Sequence, residues 1–265
     1  MLTFPEIDPV IFSIGPAKVR WYGLMYVLGF ICSYYLVLYQ IKKNKLTELG
    51  KHFENINFML IVSLIVGGRL GYVFFYNFSY YISHPSEILA TWQGGMSFHG
   101  AFLGTVLGGI VFCWKNKLNF WSSADVYIVT IPIGLGFGRI GNFINAELFG
   151  RVTEVPWGMI FPGGGPLPRH PSQLYEALLE GVVLFGLLWI AKDRKFPSGY
   201  MVALFLVFYG VFRSFVELFR QPDVQIGFLF DHITMGQLLS SLMILSGLFI
   251  MALRKGKSIT QNQRS

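Results

Sequence analysis

The sequence predicts an all-α, polytopic membrane protein of seven transmembrane helices, and three observations predict it. The chain of 265 residues is 53% hydrophobic and only 13% charged, whereas a soluble domain is roughly a quarter charged. Apolar stretches near 22–40, 55–77, 96–114, 122–141, 173–191, 198–219 and 233–253 each approach the roughly 20 residues that cross a hydrocarbon core. Basic residues then alternate with the spans as an insertion signal should. Lys42, Lys43, Lys45, Lys51, Lys115, Lys117, Lys192, Arg194, Lys195, Arg254, Lys255, Lys257 and Arg264 would share one side, against Lys18, Arg20, Arg151, Arg169 and Arg220 on the other. The richer side is the cytoplasmic one, so the N-terminus is expected outside and the C-terminus inside. Trp21, Trp92 and Trp157 then fall at the outer interface and Trp114, Trp121 and Trp189 at the inner one, the belt expected of amphipathic rings.

Taken in order, the first twenty residues carry Pro5, Glu6, Asp8 and Pro9 and lack the basic start and short apolar run of a cleaved signal peptide. The first span is therefore expected to direct insertion. The second contains Arg69, in Gly68-Arg69-Leu70-Gly71. The third opens at Gly94-Gly95-Met96-Ser97-Phe98-His99-Gly100. The fourth ends in Gly138-Arg139-Ile140-Gly141-Asn142-Phe143-Ile144-Asn145-Ala146-Glu147-Leu148-Phe149-Gly150, which echoes the first Gly-Arg-x-Gly. About 142–172 should form a loop-rich outer cap, with Pro156, Pro162, Pro166, Pro168 and three consecutive glycines, too small for a core of its own. Arg169, His170, Gln173, Glu176 and Glu180 open the fifth span. On the sixth, Tyr209, Arg213, Glu217 and Arg220 follow spacings of four, four and three and form one stripe at about 100 degrees per residue. The polar tail after Arg254 is expected to be disordered. The whole chain, residues 1–265, reads as one integral membrane domain.

Polarity thus gathers toward the outer half of the bilayer, where an ionisable group costs at least roughly 2.5 to 3.5 kcal/mol and marks a site by default. Structural ion pairs are the plain explanation: Arg213 with Glu217, and Arg139 with Glu176 or Glu180. Against it, an arginine is a planar fork suited to phosphate, and two of them on one face suit an anionic headgroup. Asn142 and Asn145 at a spacing of three can equally bond across helices. The net charge of +7 is mostly the insertion signal, so it argues for anionic lipid rather than nucleic acid. Cys32 and Cys113 lie within apolar spans, with no disulfide framework and no metal-ligand spacing. No cofactor is called for. An anion transporter is the rival reading, although paired interrupted helices are lacking.

At these residues the chain closely resembles the prolipoprotein diacylglyceryl transferase family. The segment from Gly138 to Gly150 carries the family signature. The resemblance continues through Asp8-Pro9-Val10-Ile11-Phe12, Trp21-Tyr22-Gly23, Gly67-Gly68-Arg69, Gly95 to Gly100, Arg169-His170-Pro171-Ser172-Gln173-Leu174-Tyr175-Glu176, Phe212-Arg213 and Phe219-Arg220-Gln221-Pro222-Asp223. It implies an inner-membrane enzyme with its site on the periplasmic side, phosphatidylglycerol as donor and a prolipoprotein lipobox peptide as acceptor. The family's important residues correspond to Tyr22, His99, Arg139, Asn142, Glu147, Gly150, Tyr209, Arg213 and Glu217. The stretch between Arg151 and Arg169 is short beside longer relatives. On this reading His99, Arg139 and Arg213 are catalytic. Tyr22, Asn142, Asn145, Glu147, Gly150, Tyr209, Glu217 and Arg220 bind substrate. His99 is the expected base, with Glu147 or Glu217 as the next choices.

Overall fold

A computed structural model describes residues 2–15, 17–221, 228–229 and 233–262. The motif residues Pro222 and Asp223 lie outside them. In chain order the elements are β1 (Leu2–Thr3), β2 (Val10–Ile14), β3 (Ala17–Arg20), α1 (Trp21–Lys43), α2 (Thr47–Lys51), α3 (Phe53–Phe75) and α4 (Phe78–Ser83). After two 3-10 turns come α5 (Phe98–Lys115), α6 (Phe120–Ile128), α7 (Ile131–Ile144) and β4 (Met159–Ile160). The span at 173–191 is one helix built from α8 (Ser172–Glu176), a π-helical stretch (Ala177–Val183) and α9 (Leu184–Ala191); then follow α10 (Tyr200–Val216), β5 (Phe228–Leu229), β6 (Ile233–Thr234) and α11 (Met235–Asn262).

All seven expected apolar segments are helical among the described residues. Five helices are long and apolar enough to cross a bilayer, and the bent pair α6 and α7 makes a sixth. The remaining segment, α10, is apolar but has 17 residues, about 25 Å at 1.5 Å per residue. It stops at Val216 rather than near 219. Before α1, β2 and β3 pair antiparallel around Gly15, whose φ of 58° suits a glycine turn. One other expectation is corrected: the tail beyond Arg254 is helical through Asn262, a stretch with no proline to end it.

The chain packs as two compact units, Met1–Gln40 with Ala124–Ser265, and Ile41–Ser123. In the second unit α3 lies along α5. Their backbones meet at glycines: a Cβ on Gly71 would sit 2.7 Å from Gly100 Cα, and one on Gly104 2.8 Å from Gly67 Cα. Such small-residue seams let membrane helices approach where no hydrophobic effect drives them together. Ser97 caps α5, its Oγ accepting from Gly100 N at 3.2 Å, and its own N–H donates to Gly68 O. Arg69, 5% exposed, donates from Nε to Ile88 O at 2.7 Å. Its Nη1 donates to Gly94 O and Gly95 O, and its Nη2 to Glu87 O.

In the first unit, Val129, Leu184, Leu188, Met201 and Phe205 form the buried core. The 41° bend between α6 and α7 falls at Thr130, just before Pro132, which cannot continue the hydrogen-bond ladder. Thr130 Oγ1 turns back to Tyr127 O at 2.8 Å and meets Ser33 Oγ of α1 at 2.6 Å. Asp125 of α6 accepts from Gly199 N at 2.6 Å and Val202 N at 3.1 Å, satisfying the free amides at the start of α10.

Candidate active site

One close crossing assembles the charged groups. A Cβ on Gly181 would lie 2.7 Å from Gly136 Cα, so α7 and the π stretch touch backbone to backbone. Arg139 follows Gly136 by one turn and is carried onto Glu176 and Glu180. Its Nε is 2.5 Å from Glu176 Oε2, and its Nη2 is 3.9 Å from Glu180 Oε2. From α10, Arg213 Nη1 lies 3.2 Å from Glu176 Oε1 and 3.7 Å from Glu180 Oε1, while Nη2 meets Glu217 Oε2 at 2.9 Å. Arg220 Nη1 stands 3.5 Å from Glu176 Oε1. Tyr209 lies one turn before Arg213 on α10, its ring stacked on Phe205.

The ion pairs named from the sequence are present, Arg213 with Glu217 and Arg139 with both Glu176 and Glu180, and Arg213 reaches Glu176 and Glu180 as well. The stripe on α10 is only partly helical. α10 ends at Val216, with Glu217 as its C-cap residue. Arg220 lies beyond it, in an antiparallel bridge with Gly150 that still turns its side chain to Glu176. Glu217 is further enclosed by α11: a Cβ on Gly236 would stand 2.6 Å from its Cδ.

A second group sits past Arg139 at the end of α7. Asn142 Nδ2 donates to Glu147 Oε1 at 2.8 Å, and Asn145 Nδ2 to the same oxygen at 3.3 Å. Beside Asn142 on α7, a Cβ on Gly141 would lie 2.8 Å from the Tyr22 ring, whose hydroxyl meets Tyr26 Oη at 3.0 Å. Ala146 and Leu148 adopt φ of 53° and 58°, a left-handed strain that marks a tightly determined loop. Gln173 Nε2 donates to Glu147 O at 2.7 Å and Ser172 Oγ to Leu148 O at 3.1 Å. The loop is thus tied to the helix that carries Glu176. Gly150 has a packing reason of its own: a Cβ there would run into Phe219 O and lie 2.8 Å from His170 Cβ.

The segment expected to be too small for a core of its own shares a small aromatic one with its neighbours. Phe161, 2% exposed, packs on Phe4, Phe143 and Phe149, so the loop borrows a ring from α7 and one from the N-terminus. Arg169 pins it, donating from Nε to Gly164 O at 2.8 Å, from Nη1 to Gly150 O, and bonding Gln221. His170 Nδ1 meets Tyr175 Oη at 3.1 Å, and burial holds its imidazole below the usual histidine range.

Ten of the eleven expected site residues therefore stand in the first unit, in two adjoining groups. His99 belongs to the second unit. It is exposed in the first turn of α5, its ring edge-on to Phe98. Sequence reasoning placed Glu176 and Glu180 only as possible partners. Their spacing of four inside an apolar run was the signal that both face one way. Gly236 gave no signal, since its neighbour Glu217 comes from another helix.

Comparison with known proteins identifies the family. The sequence profile described as prolipoprotein diacylglyceryl transferase matches residues 9–253. A protein of Desulfotalea psychrophila named phosphatidylglycerol–prolipoprotein diacylglyceryl transferase is 61% identical over 252 residues, covering 93% of both chains. Proteins of the same name from Geobacter sulfurreducens and Mannheimia succiniciproducens are 52% and 48% identical, covering 93% and 98% of this chain and 95% and 98% of their own. By this match the chain belongs to the prolipoprotein diacylglyceryl transferase family.

Proposed function

We propose that the chain transfers the diacylglyceryl group of phosphatidylglycerol to the thiol of a prolipoprotein's lipobox cysteine. The reaction forms a thioether, releases glycerol phosphate and is the first step of lipoprotein maturation. The observation that carries the reading is the match over residues 9–253 to a family whose relatives are named for that donor and acceptor. An anion transporter finds no support among them. The chain is a multi-pass membrane protein. We assign it to the bacterial inner membrane, N-terminus out, with its site on the periplasmic side; the distribution of Lys and Arg supports that orientation.

In the reaction, sulfur attacks a glycerol carbon, the bond from that carbon to a phosphate oxygen breaks, and the thiol proton is given up. The phosphate moves from monoanion toward dianion, so donors aimed at that growing charge lower the barrier. Arg139 and Arg213 are the residues we assign to it, with Arg220 beside them through Glu176. Asn142, Asn145, Glu147, Tyr22 and Tyr209 would orient the headgroup. Gly150 would keep Arg220 in place by leaving room for the bridge. A substrate thiol with a reference pKa of about 8.5 needs help to ionise near neutral pH. His99 is our candidate base; Glu147 is the exposed alternative. Glu217, the other alternative, is buried and held by Arg213 at 2.9 Å.

The test is purified protein with phosphatidylglycerol and a lipobox peptide. Glycerol phosphate release together with the peptide's mass gain supports the transferase; absence of both from folded protein overturns it. His99→Gln should lower turnover while leaving phosphatidylglycerol affinity near normal, and an unchanged rate at neutral pH removes His99 from the mechanism.

A further inference from the structure

The arginine cluster is electrically balanced, which poses a problem for an anionic ligand. Arg139, Arg213 and Arg220 stand against Glu176, Glu180 and Glu217. Fully ionised, the cluster has no net charge with which to attract a phosphodiester. The carboxylates are not equally compensated. Glu176 has an arginine nitrogen at 2.5 Å and another at 3.2 Å, and Glu217 has one at 2.9 Å. Glu180 is 0% exposed. Its nearest guanidinium nitrogens are 3.7 and 3.9 Å away, and neither of its oxygens has a hydrogen-bond partner. A buried carboxylate without hydrogen bonds is the costliest charge in such a group. It also sits in the π-helical stretch, a distortion frequent at functional sites. The groups facing it are Arg139 from α7, Glu176 from α8, Tyr209 and Arg213 from α10, and Arg220 beyond α10. Glu217 acts on it through Arg213.

We propose that Glu180 sets the charge of this site: it takes a proton from solvent as a phosphodiester monoanion enters between Arg139 and Arg213. Three guanidiniums then face two carboxylates, and the single net positive charge matches the single negative charge of the lipid. No covalent bond changes in this step; one proton and one anion are taken up together. A zwitterionic headgroup has no net charge to be matched, so the device selects an anionic lipid. The proposal rests on the reading that this cluster holds the phosphate of phosphatidylglycerol.

Wild-type protein in detergent, titrated calorimetrically with short-chain phosphatidylglycerol in buffers of different ionisation enthalpy, gives the proton count directly. The expected result is uptake of about one proton per lipid where affinity falls about tenfold per pH unit as pH rises. Glu180→Gln keeps the shape and fixes the neutral state, so it should bind with no proton uptake and with a flat pH profile. Wild-type binding without proton uptake overturns the proposal whatever the variant does. So does a folded Glu180→Gln that retains the wild-type slope. Arg139→Gln, which removes one of the three guanidiniums, separates the two readings. If that folded variant binds as tightly as wild type, the phosphate is not in the cluster and the underlying reading falls. If it binds weakly while wild type takes up no proton, only the role of Glu180 falls.

Discussion

The two Gly-Arg-x-Gly stretches are the same four-residue pattern put to opposite uses. Arg69 spends its donors on the backbone carbonyls of Glu87, Ile88, Gly94 and Gly95, and its guanidinium lies 5.1 Å from the Tyr81 ring centroid. It is a pin for the loop before α5. Arg139 makes ion contacts with Glu176 and Glu180 and keeps 20% of its side chain exposed. The glycines differ as well. A Cβ on Gly68 would lie 2.8 Å from Met96 Cε and one on Gly71 2.7 Å from Gly100 Cα, whereas Gly138 faces nothing within 4 Å and Gly141 faces the Tyr22 ring. In the first copy the glycines close a helix seam; in the second, one leaves space open beside a charge. An arginine in a membrane span therefore has to be judged by its partners: Arg69 is held by fixed backbone carbonyls, whereas Arg139 faces titratable carboxylates.

The largest effect that would break this contrast is at Arg69. Arg69→Ala strands carbonyls at a cost of about 1–3 kcal/mol per buried group left unpaired. Folded yield by size-exclusion in detergent should collapse, while turnover per surviving folded molecule stays near wild type. A well-folded but inactive Arg69→Ala would move Arg69 into the chemistry. Next in size is the seam. Gly71→Ala should destabilise by about 1–3 kcal/mol through overpacking, read as a lowered Tm, and an unshifted Tm would mean that α3 and α5 are not so close.

Arg139→Lys and Arg213→Lys keep the charge and lose the planar fork. Each should impair transfer at least about tenfold, or roughly 1.4 kcal/mol of transition-state stabilisation, in protein that still inserts and folds. Wild-type turnover in both ends their leaving-group role; a collapse in folded yield makes them as structural as Arg69. The smallest effect is expected at Gly138. With open space beside it, Gly138→Ala should leave the Tm unchanged or raise stability by about 0.5–1 kcal/mol, as helix-interior alanine does. A lowered Tm there would erase the difference between the two copies.

Much of this is legible in the sequence. Long apolar runs had to become helices, because in a bilayer a backbone must satisfy its own hydrogen bonds; all seven segments did so. The stripe from Tyr209 to Glu217 followed from helical periodicity alone. What failed were ends and irregularities. The hairpin before α1 depends on a turn at Gly15, and the aromatic core of the 142–172 loop depends on Phe4, far away in sequence.

The sequence by itself determined that this is a multi-pass membrane protein, which residue types it carries at bilayer depth, and, through the Gly138 to Gly150 motif, its family. Only the tertiary structure decided who neutralises whom. Arg69 and Arg139 are equivalent as letters, and Glu176 and Glu180 could have paired with either arginine or with neither. The outcome was set by two glycines, Gly136 and Gly181, that let α7 meet the π stretch closely enough to bring charges from three segments together. Periodicity reports which face of a helix a residue occupies; the partner on that face is a property of how helices cross, and that depends on contacts no single segment contains.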